Sequence, residues 1–452
     1  MSKYFFIGIG GSGMSSIAQV MVRHGHEVCG SDRNYDRGNN AIFFESLRDA
    51  GIKIFPQDGS GVTQDCDFVV ASTAIEDTVP DMAKARELDI NIIHRSQALA
   101  GLFNSARGVG VGGTSGKSTV CGMVGNLLAE AGFDPSIING GRMKNFSDGD
   151  SPGNARSGGS DLMVIESDES DGSIVNYHPA ISIVTNISRD HKTIEELKEL
   201  FEIFIGNTRE TAILNADCDL VSGLGTSGKN IISFGIDAEA DIRAESIELM
   251  PFSCGFVCGG TQFNLSVPGM HNVSNALAAI AVGVHLGIDM KTISMGMASF
   301  RGIARRFDLI GEKNGVKVID DFGHNPDKIK ATIEALDGLP GRRHLVFQPH
   351  GFGPTKFMKD GLIEVFSNYL RAEDVLYMPE IFYAGGTAVR SVSSAEIIDT
   401  IAGNGKTAKY FESRDDIVSS VARDVTDGDV VVVMGARDDT LTQFCESILD
   451  AI

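Results

Sequence analysis

Residues 108–119 read GVGVGGTSGKST, and the rest of the chain is placed by this stretch. A glycine-interrupted apolar run, VGVGG, leads into Gly116-Lys117-Ser118-Thr119, and VCGMVGNLLAEAG continues with a helical pattern. The reading is strand, glycine loop, helix N-terminus. Backbone N–H groups of such a loop point inward and the helix end adds partial positive charge, so the loop takes phosphate. Lys117 can reach the β/γ-phosphates of a nucleotide, and the Ser118 hydroxyl can ligate Mg2+. The usual pattern G-x-x-x-x-G-K-S asks for glycine where this chain has Val111. What stands is G-T-x-G-K-S-T over Gly113, Thr114, Ser115, Gly116, Lys117, Ser118 and Thr119. The bland alternative is a glycine turn with a chance Lys-Ser. The strand before it and the helix after it argue for phosphate.

Composition bounds the answer from outside. A chain of 452 residues has room for about two to four domains. Its 42% apolar and 22% charged content is ordinary for a soluble globular protein. The net charge of −21 argues against a broad basic face, so no nucleic-acid partner is expected. The seven cysteines are scattered, and only Cys254 and Cys258 are close in sequence, with no histidine cluster beside them. Free thiols in a reducing compartment are expected, rather than zinc or disulfides. The N-terminus, MSKYFFIGIGG, enters a strand at once and lacks the apolar core of a signal peptide. No run of about 20 apolar residues occurs, so no membrane helix is expected and the cytoplasm is the default location.

Working outward toward the N-terminus, YFFIGI is a buried parallel strand followed by Gly8-x-Gly10-x-x-Gly13 and the helical stretch MSSIAQVMVRHG. The next strand ends in Asp32, nineteen residues past Gly13. This is a dinucleotide-type fingerprint: a tight turn, close phosphate approach, close helix packing, then an acid for a ribose. It says that a nucleotide diphosphate can lie there, not which one. Strands and helices alternate to about residue 105, with Ser72 and Thr73 past one strand end and His94-Arg95 at another. The polar break NSARG closes this first domain, residues 1–105.

Working toward the C-terminus, the Gly-, Ser- and Asn-rich residues 139–160 read as a long loop. The strand LMVIE then ends in Glu166, with Asp168, Glu169 and Asp171 crowded behind it. So many carboxylates in so few residues repel one another unless cations are near. Beside a phosphate loop, Mg2+ is the natural cation; a solvated acidic turn is the alternative. The strand ISIVTN repeats the arrangement, with Asp190-His191 at its end. Residues 228–268, including NIISFGI, read as short antiparallel strands at an edge. Gly269-Met270-His271-Asn272 starts an apolar helix with Asn272 and Asn275 on its first turn. The polar connection around IARRFD opens a third series of alternating strands and helices, a second doubly wound domain over residues 300–452, after a central domain over 106–299.

Specific residues now fall in order. GIGGSGMSSIA with GSD, STAI, GTSGKST, ESDESDGS, IVTNISRDH, PGMHNVSNALAA, ARRFD and DDFGHNP together resemble the Mur ligase family from end to end. The likeness is greatest to its members that add L-alanine or a murein tripeptide. It implies a three-domain α/β chain: a Rossmann-like domain for a UDP-sugar, a central P-loop ATPase domain with an antiparallel edge sheet, and a Rossmann-like acceptor domain. It implies an ATP-dependent amide ligase that activates a UDP-N-acetylmuramate-type donor as an acyl phosphate, in peptidoglycan synthesis or recycling. It assigns Lys117 to the phosphates, Ser118 to a first Mg2+, and Glu169 and His191 to a second. Asn272, Asn275, Arg306 and Asp321 resemble the family's ATP contacts, the last two at the junction of the central and C-terminal domains. Gly10, Gly11, Ser12, Gly13, Asp32, Ser72 and Thr73 are the UDP-sugar candidates. A monomer or homodimer is expected.

The departures concern the acceptor. The L-alanine-adding members follow their QPH strand with Arg-Tyr-Ser-Arg-Thr, whose arginines hold the amino acid carboxylate. Here the run is Gly351-Phe352-Gly353-Pro354-Thr355, so Gly351 and Pro354 replace both arginines. A carboxylate loses its two-pronged partners, and Lys356 is only a point charge in return. The family tyrosine before Gly-His is Phe322, its second histidine is Asn325, and the phosphate-loop histidine is Ser115. His324 remains the acceptor-side candidate. An amino acid or short peptide is the expected acceptor. A non-ligating nucleotide-binding homologue and an NAD-dependent oxidoreductase are the competing readings, the latter resting only on Gly8-x-Gly10-x-x-Gly13.

Overall fold

The computed structural model describes residues 1–72, 75–147, 153–188, 192–226, 228–383, 390–438 and 440–452. The chain divides into two compact units: Met1–Glu248 with Cys254–Ser266 and Met270–Ile303, and Leu249–Ser253 with Val267–Gly269 and Ala304–Ile452.

In the first unit, β1 (Lys3–Ile7), β2 (Glu27–Ser31), β3 (Lys53–Phe55), β4 (Phe68–Ala71) and β5 (Asn91–His94) form a parallel sheet in the order β3-β2-β1-β4-β5. Phe6 joins the core on one face, and Phe5 and Ile7 join a second core on the other. This two-sided burial is why β1 reads as a continuous apolar run. The strand order reverses between β1 and β4. The crevice outside their carboxyl ends is where open sheets take ligands.

A larger sheet holds the phosphate loop. It comprises β6 (Arg107–Gly112), β7 (Ser136–Ile138), β8 (Ala155–Arg156), β9 (Leu162–Glu166), β10 (Ile181–Val184), β11 (Thr211–Asn215), β12 (Ile231–Gly235) and β13 (Ile242–Arg243). The order is β13-β12-β11-β10-β6-β9-β7-β8, parallel except where β8 meets β7. β6 therefore lies between β9 and β10, and the carboxyl ends of these three strands share one crevice. The helix Lys117–Glu130 is buried over most of its length, against the helices Met270–His285 and Met290–Ala298. Asn126 ties it down by donating to Gly296 O at 2.8 Å.

One expectation is corrected here. NIISFGI is not an antiparallel edge piece: it is β12, parallel to β11, reached through the short helix Asp219–Ser222. That crossover is too brief to leave a helical period in the sequence. The antiparallel sheet is the separate trio β14 (Glu245–Met250), β15 (Ser253–Cys258) and β16 (Thr261–Leu265). Gly259 and Gly260, both at positive φ (54° and 74°), turn β15 into β16.

The 139–160 region is tied at both of its described ends. Asn139 N donates to Asn154 O at 2.9 Å, and the Asn154 side chain donates to Ser12 O at 2.6 Å and to Ser15 Oγ at 3.1 Å. This connection thus reaches the first turn of the helix Ser12–Arg23.

In the second unit, β17 (Asp308–Lys313), β18 (Val316–Asp321), β19 (Arg343–Gln348), β20 (Val375–Pro379), β21 (Thr407–Phe411) and β22 (Val430–Gly435) are ordered β17-β18-β22-β19-β20-β21. All pairs are parallel except β17 with β18. β22 is buried at all six positions, as a central strand covered on both faces should be. The hairpin β17–β18 is missing from the sequence reading. Its turn, Asn314-Gly315 with φ 52° and 75°, is the Asn-Gly signal for a tight hairpin. Under the sheet, Arg343 is 1% exposed; its Nε donates to Asp374 at 2.8 Å and its terminal nitrogens reach Asp374, Asp337 and Tyr369 O.

Candidate active site

β6 ends at Gly112, and the chain turns at Gly113 (φ 132°) and Gly116 (φ 84°) before the helix Lys117–Glu130 starts. Glycine enters this region without strain. Space demands it as well: a Cβ at Gly113 would run into Thr185 Oγ1, and one at Gly116 would meet Asn275 Oδ1 at 2.6 Å.

The outer side of the loop is stitched to the chain beyond β10. Thr114 N donates to Asn186 O at 3.0 Å, and Thr114 Oγ1 and Ser115 N donate to Asn186 Oδ1 at 2.8 and 2.9 Å. Thr185 Oγ1 and Asn186 Nδ2 return donors to Ser115 O at 2.6 and 3.1 Å.

Inside the loop, Lys117 Nζ donates to Gly113 O at 2.7 Å and to the two Glu169 oxygens at 3.0 and 2.8 Å. Burial works against the ammonium, but the Glu169 and Glu166 carboxylates outweigh it and hold Lys117 above its ordinary value. Burial raises the Glu169 carboxyl against the pull of Lys117. With the lysine charged at neutral pH and bonded to both oxygens, the pair is ionised. Ser118 Oγ donates to Glu166 Oε2 at 2.9 Å, and Gly140 N reaches the same oxygen at 2.9 Å. Asn139 Nδ2 holds Ser118 O at 2.9 Å. A hydroxyl and two carboxylates beside a phosphate loop are hard oxygen donors, the set that suits Mg2+. Among the described residues no group of three His, Cys, Asp or Glu side chains is gathered as for a metal, and His191 lies outside the described residues.

At the first sheet, Gly10 N donates to Asp32 Oδ2 at 2.9 Å, and Asp32 Oδ1 accepts from Asn34 N at 2.8 Å. Asp32 therefore braces the glycine loop against the end of β2. A Cβ at Gly13 would lie 3.2 Å from the Arg95 guanidinium. Ser72 follows β4, and Thr73 lies outside the described residues.

In the second unit, Asp321 ends β18. Its Oδ1 accepts from Gly323 N (2.8 Å) and Thr332 Oγ1 (2.7 Å), and its Oδ2 from Phe307 N (2.8 Å). Asp321 thus shapes the turn that presents His324. His324 Nδ1 is 2.9 Å from Phe322 O, which places the ring proton there and leaves the Nε2 lone pair open. Burial, helped by Lys328, lowers His324 to about 3. Burial and then Arg437 lower His350. Both rings are neutral at physiological pH, with centroids 5.8 Å apart. The Arg306 guanidinium lies 4.6 Å from the Phe322 ring centroid.

Three family models match this chain: Mur ligase family, catalytic domain, over residues 3–107; Mur ligase middle domain, over 111–283; and Mur ligase, glutamate ligase domain, over 305–437. The UDP-N-acetylmuramate–L-alanine ligase of Geobacter sp. (strain M21) is 36% identical over 451 residues, spanning 96% of this chain and 95% of that protein.

The chain belongs to the Mur ligase family.

The ligase of the same name from Nitrosomonas eutropha is 37% identical over 456 residues, covering 95% of this chain and 93% of its own. The solved UDP-N-acetylmuramate–alanine ligase of Thermotoga maritima matches with a TM-score of 0.81 at 26% identity, over 100% of both chains. A murein peptide ligase from Psychrobacter arcticus shares the fold, with a TM-score of 0.69 at 24% identity over 100% of this chain and 98% of that one. The expected three-part α/β architecture is therefore that of the family, and this Mur ligase is an ATP-dependent, ADP-forming enzyme. No helix among the described residues is long and apolar enough to cross a membrane.

This Mur ligase brings the predicted residues together in three groups. Gly113–Thr119, Glu169, Asn272 and Asn275 gather at the phosphate loop, where Asn275 Nδ2 donates to Asn272 Oδ1 at 3.2 Å. Gly10–Gly13 and Asp32 meet past the end of β1, and Ser72 follows β4, the strand beside it. Arg306, Asp321 and His324 surround Phe322 in the second unit. Two residues escaped the sequence reading, Thr185 and Asn186, which hold the phosphate loop, while Glu166, expected among the carboxylates for Mg2+, takes the Ser118 hydroxyl. Their shared signal is position: each stands at or just past the carboxyl end of a strand beside β6.

Proposed function

We propose that this Mur ligase joins an amino acid to the lactyl carboxylate of a UDP-N-acetylmuramate-type donor through an acyl phosphate. Residues 1–105 hold the donor, 106–299 hold ATP, and 300–452 hold the acceptor. The enzyme works in the cytoplasm, as a monomer or homodimer. The observation behind the chemistry is the double pairing at the phosphate loop, Lys117 with Glu169 and Ser118 with Glu166. The names of the relatives support the substrates.

A donor carboxylate oxygen attacks the γ-phosphorus, the bond from that phosphorus to the β-phosphate oxygen breaks, and ADP leaves. On this reading Lys117 meets the charge that develops on the transferring phosphoryl group, and such positioned charge supplies most of the catalysis in phosphoryl transfer. Ser118, Glu169 and His191 would hold Mg2+, with Glu166 setting the Ser118 hydroxyl, and the ion would offset repulsion between the donor carboxylate and the triphosphate. Asn272, Asn275, Arg306 and Asp321 serve the nucleotide. The uncharged amine of the acceptor then attacks the acyl carbon, and the carbon–oxygen bond to phosphate breaks with its electron pair leaving on phosphate. His324 Nε2 accepts an N–H from that amine and aims its lone pair. An imidazole lowered to about 3 is too weak a base to store the released proton, which leaves on the departing phosphate, so the part of His324 is orientation.

The test is incubation with ATP, Mg2+, UDP-N-acetylmuramate and a panel of amino acids and murein peptides, following phosphate release and product mass. Release that needs both donor and acceptor, with an amide product, is expected. Basal ATP hydrolysis indifferent to every donor would leave a nucleotide-binding homologue that does not ligate.

A further inference from the structure

We infer that the acceptor's carboxylate is received by Arg437, just past β22, and Arg390, in the connection that follows β20, in place of arginines on the helix that follows β19. This rests on the ligase reading above. The helix Phe352–Tyr369 begins GFGPTK, and neither Gly351 nor Pro354 offers a cation. The neighbours do. Sheet order puts β22 on one side of β19 and β20 on the other. Arg437 stands just past the end of β22, and Arg390 in the connection between β20 and the helix Ser394–Gly403.

Four observations converge on these two side chains. Among the described residues, neither Arg390 nor Arg437 has a carboxylate partner, in a chain where 60 acidic residues face 39 Lys and Arg. By contrast, Arg414 on the same rim is spent on Asp438 and Gln348, and Arg305 on Asp320. Arg390 lies 5.5 Å from the Phe352 ring centroid and 5.9 Å from that of Tyr383, two rings 5.4 Å apart. A guanidinium held over aromatic faces by cation–π attraction keeps N–H donors free for a carboxylate. Arg437 has φ 58°, a left-handed backbone that an L residue adopts at a cost, and such strain persists where the surroundings impose it. Its charge is felt at His350, which packs against His324. The rim therefore offers cations for a carboxylate and a neutral imidazole for an amine, the complement of a free α-amino acid.

The experiment uses the full-length protein with ATP, Mg2+ and UDP-N-acetylmuramate. Hydroxylamine, an amine without a carboxylate, captures the acyl phosphate as a hydroxamate and releases phosphate. L-Alanine, L-serine and glycine are each compared with their amides. Wild type is expected to prefer the acid over its amide. Arg390→Ala and Arg437→Ala are each expected to raise KM for the amino acid about 10- to 100-fold, the scale of a lost charge-assisted fork. The same variants should lower the ratio of amino-acid-dependent to hydroxylamine-dependent turnover and erase the preference for the acid. Lysine at either position should restore part of the loss. No hydroxamate from wild type would sink the ligase reading itself. Hydroxamate with no free amino acid accepted, with no preference for acid over amide, or with acceptor KM unmoved in both variants would overturn the arginine assignment alone.

Discussion

At the phosphate loop the protein already supplies partners for the side chains that shape the turn. Asn186 accepts from Thr114 and Ser115, Glu169 takes Lys117, and Glu166 takes Ser118. At the carboxyl rim of the second unit the reverse holds. Arg414 there is paired with Asp438, while Arg390 and Arg437 lack a protein carboxylate among the described residues. The difference follows from what each place must do. ATP is the same in every turnover of every relative, so its cradle can be built in advance and held by internal hydrogen bonds. On the reading proposed above, recognition of the acceptor falls to these two unpaired arginines.

That contrast can be broken at several points. The largest effect is expected at Lys117. Lys117→Ala should lower donor-dependent phosphate release by about three to five orders of magnitude, the scale of losing one charge in phosphoryl transfer; turnover within tenfold of wild type would remove the loop from the chemistry. Next comes the floor under the rim. Asp374→Ala removes the one buried carboxylate from the buried Arg343 guanidinium and leaves it only the exposed Asp337, so the second unit should lose about 3 kcal/mol in denaturant unfolding. A loss below about 1 kcal/mol would mean that the floor is not what holds the strand ends in register.

Glu166→Gln is smaller and more diagnostic. It keeps the shape but weakens the hold on Ser118, so the Mg2+ concentration for half-maximal rate should rise about 10- to 100-fold while KM for the acceptor stays put. An effect confined to acceptor KM would reverse the division drawn here. The mildest test is pH. His324 has a folded value of about 3 against 6.5 in the open chain. Above 6.5 it is neutral in both states and contributes no pH dependence. Below 6.5 the unfolded chain binds a proton that the folded chain refuses, so stability falls as pH drops from 6.5 toward 3. His324→Gln should flatten that slope in melting-temperature scans, and an unchanged slope would place its ring in water.

What could be read from the sequence follows the same line. Gly113–Thr119 were legible because glycine, lysine and serine at those positions each answer a steric or electrostatic demand that no other residue meets. The turn at Asn314-Gly315 was equally available, but β17 carries Asp, Glu and Lys on a half-exposed edge and shows no apolar run to pair it with. β12 was misplaced because a short crossover leaves no periodicity. Thr185 and Asn186 were hidden for another reason. Their work is done on residues some seventy positions away, and only the sheet order that sets β10 beside β6 brings them together. Arg390 and Arg437 were invisible for that reason too: the sequence reports a missing arginine at 351 and 354 but cannot say which neighbouring strand end makes good the loss.

Asn154 joins the first glycine loop to the phosphate loop. Its side chain grips Ser12 and Ser15, its carbonyl takes Asn139 N, and the Asn139 side chain holds the carbonyl of Ser118. Any ordering of Ser12 as the first crevice fills has a bonded route to the residue that opens the nucleotide helix. Thermodynamic linkage makes such an influence symmetrical: whatever factor the sugar nucleotide contributes to ATP affinity, ATP must contribute to the affinity for the sugar nucleotide. On the proposed reading each site would have one dissociation constant with the other site empty and another with it filled, and the two ratios must be equal.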